Sequence, residues 1–299
     1  MITFTVIVPN LNSPFIDQTI QALEQQSFSR DNYQVIVVGM DNYGLVRESD
    51  VVYFDRCEHP LSPAQARNRG ARKAQGEILA FTDADCIPNI DWLAVLADRF
   101  ADPNVAVVGG GVGFDTYNYW TLADNLSMFY EYLAAHQPGE RRQLPSLNLS
   151  IRHKVFDEIG GFDERYPRPS GEDADLTIRL RKLGYRLYFE PRAIVVHHPP
   201  RNRLVDLLRH GYYQGMYSTK VDNRYMEEGL PPALRARLGL ITLAPFLAIA
   251  ATLRMFITYP NLRSYWYAAP AIYLAKVAWC LGAAHHWLRS VNGQDHSQR

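Results

Sequence analysis

The chain is 299 residues long and carries 31 Lys and Arg against 31 Asp and Glu, so it lacks the basic excess of a general nucleic-acid binder. That length holds one large or two small domains with a sizeable core. Its three cysteines, Cys57, Cys86 and Cys280, are widely spaced and fit neither a disulfide framework nor a zinc cluster, which favours a reducing compartment.

No basic region and cleavage site of a signal peptide precede the first β-rich run, residues 3–8. Pro9 stops that run, and Asn10-Leu11-Asn12-Ser13-Pro14 leads into a helix over 15–26 whose Ile16, Ile20 and Leu23 recur at helical spacing. Strands are expected at 33–38 and 51–54. A helix is expected at 63–74, where Arg67, Arg69, Arg72 and Lys73 predict a strongly positive side. Ile78 to Thr82 is an apolar run of strand length, closed by Asp83-Ala84-Asp85-Cys86. Period-two alternation would turn Asp83 and Asp85 to one side. Two hard oxygen ligands at a sheet edge suit Mg²⁺ or Mn²⁺, with substrate phosphates completing the shell. The competing reading makes these acids the cap of a helix starting near Pro88. Strands alternating with helices predict an α/β fold, a Rossmann-like, mainly parallel sheet flanked by helices. Such sheets bind ligands outside the carboxyl ends of their strands. Pro9-Asn10, residues 39–41 and residues 83–85 all fall there.

A helix over 89–100 carries Trp92, Leu93 and Leu96 on its apolar side, and a strand over 105–108 runs into Gly109-Gly110-Gly111-Val112-Gly113. The glycines lack the following helix that a dinucleotide fingerprint needs. The aromatic stretch 114–132 suits ordinary core, or a surface that stacks on sugar rings or meets lipid head groups. Ser170-Gly171-Glu172-Asp173 opens a helix whose first turn favours acids, and the Pro-rich approach Tyr166-Pro167-Arg168-Pro169 presents that start to a cleft. Short strands are expected at 185–189 and 193–196, the second ending in His197-His198. A histidine pair at a strand end is ordinarily structural, but beside a cation it becomes a candidate ligand.

This order of motifs resembles the family 2 glycosyltransferases with the GT-A fold. The matching residues are Val6-Ile7-Val8-Pro9-Asn10-Leu11-Asn12, Ala66-Arg67-Asn68-Arg69-Gly70, Gly76-Glu77, Thr82-Asp83-Ala84-Asp85, residues 148–152, Gly160-Gly161-Phe162-Asp163-Glu164, Gly171-Glu172-Asp173 and His197. The resemblance covers roughly residues 3–200 and implies a UDP- or GDP-sugar donor, a divalent metal (Mn²⁺ or Mg²⁺) and inversion at the anomeric carbon. It implies Asp85 as metal ligand with His197 as a second and His198 as its substitute. Asp83 falls at the metal or the ribose, and Arg67 near the base or phosphates. Pro9, Asn10, Asn12 and Asp41 line the donor site. Asp173 is the implied base, with Glu172 orienting acceptor or base. Gly39-Met40-Asp41 departs from the acidic pair that usually closes the second strand, which bears on the choice of nucleotide.

The catalytic domain is expected over 1–200, about 1–112 as nucleotide-sugar half and 113–200 as acceptor half, followed by a helical, membrane-associated region over 201–299. Residues 201–220 mix basic residues with Leu and Tyr, as a helix on an anionic membrane surface would. After a break at Pro231-Pro232 come apolar stretches at 238–253 and 265–288, joined by a linker over 254–264. Pro245 and Lys276 argue against spanning, and a spanning hairpin would put Arg254 and Arg263 on the far side, so a re-entrant or interfacial pair on the cytoplasmic face is expected, within reach of a glycan or lipid-linked acceptor. A buried helical hairpin is the alternative. A sugar nucleotidyltransferase would need a glycine-rich loop where Pro9-Asn10-Leu11-Asn12 stands, and a non-catalytic carbohydrate-binding protein of this fold would have no use for both acid clusters.

Overall fold

The computed structural model describes residues 2–114, 116–224 and 237–291; the expected break at Pro231-Pro232 lies outside the described residues. The chain divides into two compact units, Met1–Phe114 with Glu131–Pro199, and Asp115–Tyr130 with Pro200–Arg299.

The first unit is built on a nine-stranded sheet. Its strands are β1 (Phe4–Leu11), β2 (Tyr33–Met40), β3 (Val52–Arg56), β4 (Ile78–Thr82), β5 (Cys86–Pro88), β6 (Val107–Phe114), β7 (Gly139–Glu140), β8 (Asn148–Arg152) and β9 (Leu187–His197). The order is β3-β2-β1-β4-β8-β6-β9-β5, with β7 on β9. The first four strands pair in parallel, as the alternation of strands and helices predicts. Beyond them the sheet is mixed, because β8 lies antiparallel between β4 and β6. Helices α1 (Ile16–Glu24), α2 (Pro63–Ala71), α3 (Trp92–Phe100), α5 (His153–Glu158) and α6 (Glu172–Lys182) flank it. β4 is buried at every position, and Phe81 packs its ring on Phe156 and Phe162 at centroid distances of 5.4 and 5.2 Å.

The competing reading of the acid pair and the expected place of the glycine run come out differently. Residues 86–88 form a strand and α3 starts only at Trp92, so Asp83 and Asp85 cap no helix. The glycine run lies within β6 rather than after a strand. A Cβ on Gly110 would sit 2.1 Å from the Ala193 carbonyl oxygen and 2.2 Å from Asn148 Nδ2, and one on Gly111 2.4 Å from the Pro191 carbonyl oxygen. The β6 register on β9 shifts between Gly110 and Gly111, which absorbs Pro191 and lets the two expected short strands run as one.

The second unit is helical: α4 (Tyr119–Phe129), α7 (Leu204–Arg224), α8 (Arg237–Thr258), a 3₁₀ segment (Pro260–Ala268) and α9 (Ala269–Val291). Asn118 caps α4 by accepting from the Trp120 and Thr121 N–H groups. Gly211-x-x-x-Gly215 lets α7 approach α9 backbone to backbone. Cβ atoms there would lie 2.6 Å from the Ala275 carbonyl oxygen and 1.9 Å from that of Trp279. Small residues at this spacing are the packing device of helices in membranes. α8 runs on through Pro245 and Arg254 to Thr258, so the expected linker begins inside a helix. Residues 239–258 and 260–285 are each long and apolar enough to cross a membrane. The α8 side chains Ile241, Phe246, Ile249, Leu253 and Ile257 are exposed, as are Trp266 and Tyr267 beside them in sequence.

Candidate active site

The carboxyl end of the parallel strands is held together by backbone and short polar side chains. Asn10 at the end of β1 donates from Nδ2 to the Met40 carbonyl at 2.9 Å and accepts the Ser13 N–H at 3.0 Å. Asn12, at φ +56°, accepts the Asn42 N–H at 2.7 Å. Ser13 Oγ donates to the Ala84 carbonyl at 2.8 Å, tying this loop to the turn that carries the acid pair. Gly39, at φ +136°, could carry no Cβ, which would fall 2.0 Å from the Asn10 carbonyl oxygen. Asp41 is buried, and its Oδ2 accepts the Val46 N–H at 2.8 Å. Its Oδ1 has no partner among the described residues. A buried acceptor without a partner is costly, and a bound N–H donor would satisfy it.

α2 opens with a capping box, Ser62 Oγ accepting from the Gln65 N–H and Gln65 reaching back to the Ser62 N–H. The helix aims Arg67 inward, where its side chain is 2% exposed and forms two ion pairs, Nη2 to Asp83 Oδ1 at 2.6 Å and Nη1 to Glu172 Oε1 at 3.0 Å. Burial works against the Arg67 charge, but Asp83 and Glu172 outweigh it and raise its pKa. The neighbouring Asn68 clamps Phe162, donating to its carbonyl at 2.8 Å and accepting its N–H at 2.9 Å. The other basic residues of 63–74 do not form the free positive face their composition predicts, and α2 ends at Ala71, short of Arg72 and Lys73. Arg69 is bidentate to Asp55 at 2.7 and 2.8 Å, Lys73 reaches the same carboxylate at 2.9 Å, and Arg72 lies 3.8 Å from Glu164.

The acid pair sits in a turn rather than on an extended strand, with the Cys86 N–H donating to the Asp83 carbonyl at 3.1 Å. The two carboxylates therefore part, Asp83 to Arg67 and Asp85 toward His197, whose Nε2 is 3.7 Å from Asp85 Oδ1. β5 pairs antiparallel with the end of β9, setting Cys86 opposite His197. Asp85, Cys86 and His197 each offer one donor atom within 4.8 Å of the others, so a divalent ion fits among them with little side-chain movement. His198 donates its backbone N–H to the Asp85 carbonyl at 2.8 Å and holds the turn against β9. Burial pushes the Cys86 thiol well up from its ordinary range.

α6 starts at Gly171, whose φ of +90° turns the chain sharply into the acids. Burial, then the neighbouring Asp173, push Glu172 up to about 7 against the pull of Arg67. Glu172 Oε2 is buried with no partner among the described residues. Asp173 accepts the Ala174 N–H at 2.8 Å and the Ser146 N–H at 3.3 Å. Desolvation raises its carboxyl above the ordinary range even so. Sequence reasoning missed the double ion pair of Arg67 and the thiol opposite His197. Neither has a signal in spacing, since both depend on which strand lies next to which.

A family model described as "Glycosyl transferase family 2" matches residues 5–162. Glycosyltransferase AglE of Haloferax volcanii is 28% identical over 220 residues, 71% of this chain and 71% of that one. The pre-mycofactocin glycosyltransferase of Mycobacterium tuberculosis is 32% identical over 232 residues, 71% of this chain but 46% of the relative. Among solved structures, the mannosyltransferase PcManGT of Pyrobaculum calidifontis, in complex with GDP-Man and Mn²⁺, superposes with a TM-score of 0.54 at 20% identity. That match covers 92% of this chain and 86% of the other. S. aureus TarS 1-349 in complex with UDP gives 0.51 at 16% identity, covering 99% and 93%.

Proposed function

The chain belongs to glycosyl transferase family 2, and on that footing we propose that it moves a sugar from a UDP- or GDP-sugar to an acceptor hydroxyl with inversion at the anomeric carbon. It is a glycosyltransferase of GT-A fold with an apolar helical extension at its C-terminus. The observation that carries the proposal is the buried Arg67, whose two ion pairs join the acid of the 83–85 turn to the acid that opens α6 in one network.

Each residue then has a task. Asp41 Oδ1, buried and unpartnered among the described residues, accepts an N–H of the base, and the Asn10 and Asn12 loop below it shapes the nucleoside pocket beside Pro9. Asp83, with Arg67, faces the ribose and diphosphate. Asp85 and His197 would hold the divalent ion, Mn²⁺ or Mg²⁺, which would supply charge stabilisation for the departing diphosphate without proton transfer. Asp173 takes the proton of the acceptor hydroxyl as it attacks the anomeric carbon from the face opposite the leaving group. The two N–H groups on Asp173 fix its orientation, and desolvation makes it a better base than a solvated carboxylate. Glu172, held by Arg67, orients the acceptor.

The catalytic domain is the unit of residues 1–114 with 131–199, and the helical unit, residues 115–130 with 200–299, associates with the cytoplasmic side of a membrane, where a glycan or lipid-linked acceptor is presented. Two helices of spanning length, the glycine-mediated contact of α7 with α9 and the exposed apolar side chains of α8 support the association with a membrane. A panel of nucleotide sugars, read as donor turnover with Mn²⁺ and with chelator, tests the function. Turnover of one nucleotide's sugars only in the presence of metal is the expected result, and chelator-insensitive turnover would overturn the metal-assisted mechanism.

A further inference from the structure

We infer that Cys86 is a third protein ligand to the divalent ion and sets its identity, favouring cations that accept a thiolate, the Zn²⁺ and Co²⁺ class, over Mg²⁺. The inference rests on the proposal above that Asp85 and His197 hold the ion.

Cys86 stands directly opposite His197 in an antiparallel pair, and residues so opposed turn their side chains to the same face of the sheet. Asp85 precedes Cys86 in the chain and brings its carboxylate to the same place. One oxygen, one sulfur and one nitrogen donor thus lie within 4.8 Å of one another, with Asp85 and His197 already at 3.7 Å. Ligand bonds of ~2.0 Å to nitrogen or oxygen and ~2.3 Å to sulfur space tetrahedral donors by roughly 3.3–3.6 Å, so only small side-chain rotations close the set. The other acid of the turn, Asp83, is not in this group of donors, and its Oδ1 pairs with Arg67 at 2.6 Å. The site is therefore not the pair of carboxylates that would suit Mg²⁺, but one carboxylate with imidazole and sulfur. That set selects softer ions, and three protein ligands leave a vertex open for the donor's diphosphate. Cys57 and Cys280, also buried, belong to no such group of donors among the described residues. A buried cysteine is commonly a small apolar filler, and that role predicts no metal–sulfur bond.

The test is optical. Full-length protein in detergent, with UDP or GDP present, is titrated with Co²⁺ and its absorption recorded. Ligation by Cys86 gives a thiolate-to-cobalt charge-transfer band in the near ultraviolet beside the visible bands of the bound ion. The band should vanish in Cys86→Ser and persist in Cys57→Ser. Zn²⁺ competition should weaken by roughly tenfold or more in Cys86→Ser, with Mg²⁺ affinity changed far less. The wild-type spectrum decides the matter even if the variant folds poorly. Visible bands that are lost in Asp85→Ala but come without charge transfer would overturn the thiolate ligand and leave the Asp85–His197 site standing. Failure to take up Co²⁺ or Mn²⁺ at all would overturn both.

Discussion

Replacing Arg67 with Met keeps the apolar stem and removes the fork that serves two acids. Arg67 is 2% exposed and Glu172 4%, whereas Asp83 at 30% can regain water, so the uncompensated charge falls mainly on Glu172. Removing one partner of a buried pair costs about 3–5 kcal/mol. The cost depends on pH with a defined sign. Glu172 already stands at about 7 in the folded protein, above its ordinary range, and losing Arg67 raises it further. A group raised on folding contributes its stability fully below its unfolded pKa and loses it as pH rises through the folded value. The deficit of Arg67→Met is therefore smallest near pH 5, where Glu172 is protonated, and largest above pH 8. Thermal melting at the two pH values should show a loss of about 6–15 °C at the higher one, and clearly less at the lower. An unchanged melting temperature above pH 8, or a deficit that grows on acidification, would refute the reasoning.

Three further outcomes are expected. Asp173→Asn should keep nucleotide binding by calorimetry while turnover falls roughly 10²–10⁴-fold; loss of nucleotide binding would move Asp173 to the donor site. Gly110→Ala should reduce soluble yield and melting temperature sharply, because its Cβ would meet the Ala193 carbonyl oxygen at 2.1 Å; a stable variant would mean that β6 and β9 can separate without cost. Alkaline carbonate washing of membranes should leave the full-length chain in the pellet, and recovery as a soluble monomer without detergent would defeat membrane association by α8 and α9.

How much was legible beforehand follows from the range of the interactions involved. β4 falls at Ile78–Thr82 as its apolar run predicts, because a strand buried throughout is written in consecutive residues. The glycines of β6 mislead for the opposite reason: their cause is the Asn148 side chain and the β9 backbone, both distant in sequence. Pro245 likewise suggests a broken helix, yet α8 continues, since one proline removes a hydrogen bond without ending a long apolar helix packed on its neighbours. In the site, the residue types were visible and their partners were not. Period-two alternation turns Asp83 and Asp85 to one side only while the strand lasts, and β4 ends at Thr82. The turn that follows hands one acid to α2 and the other to β9. The basic residues of 63–74 look alike in sequence, yet Asp55 pairs with Arg69 and Lys73 at the surface while Arg67 alone enters the site.

The central claim is inverting transfer from a nucleotide sugar, and proton NMR of the sugar released or transferred during turnover tests it most directly. With Mn²⁺ present and the preferred UDP- or GDP-sugar as donor, the first-formed product should carry the anomeric configuration opposite to the donor's, and Asp85→Ala should form none. A first product that retains the donor's configuration would contradict the account.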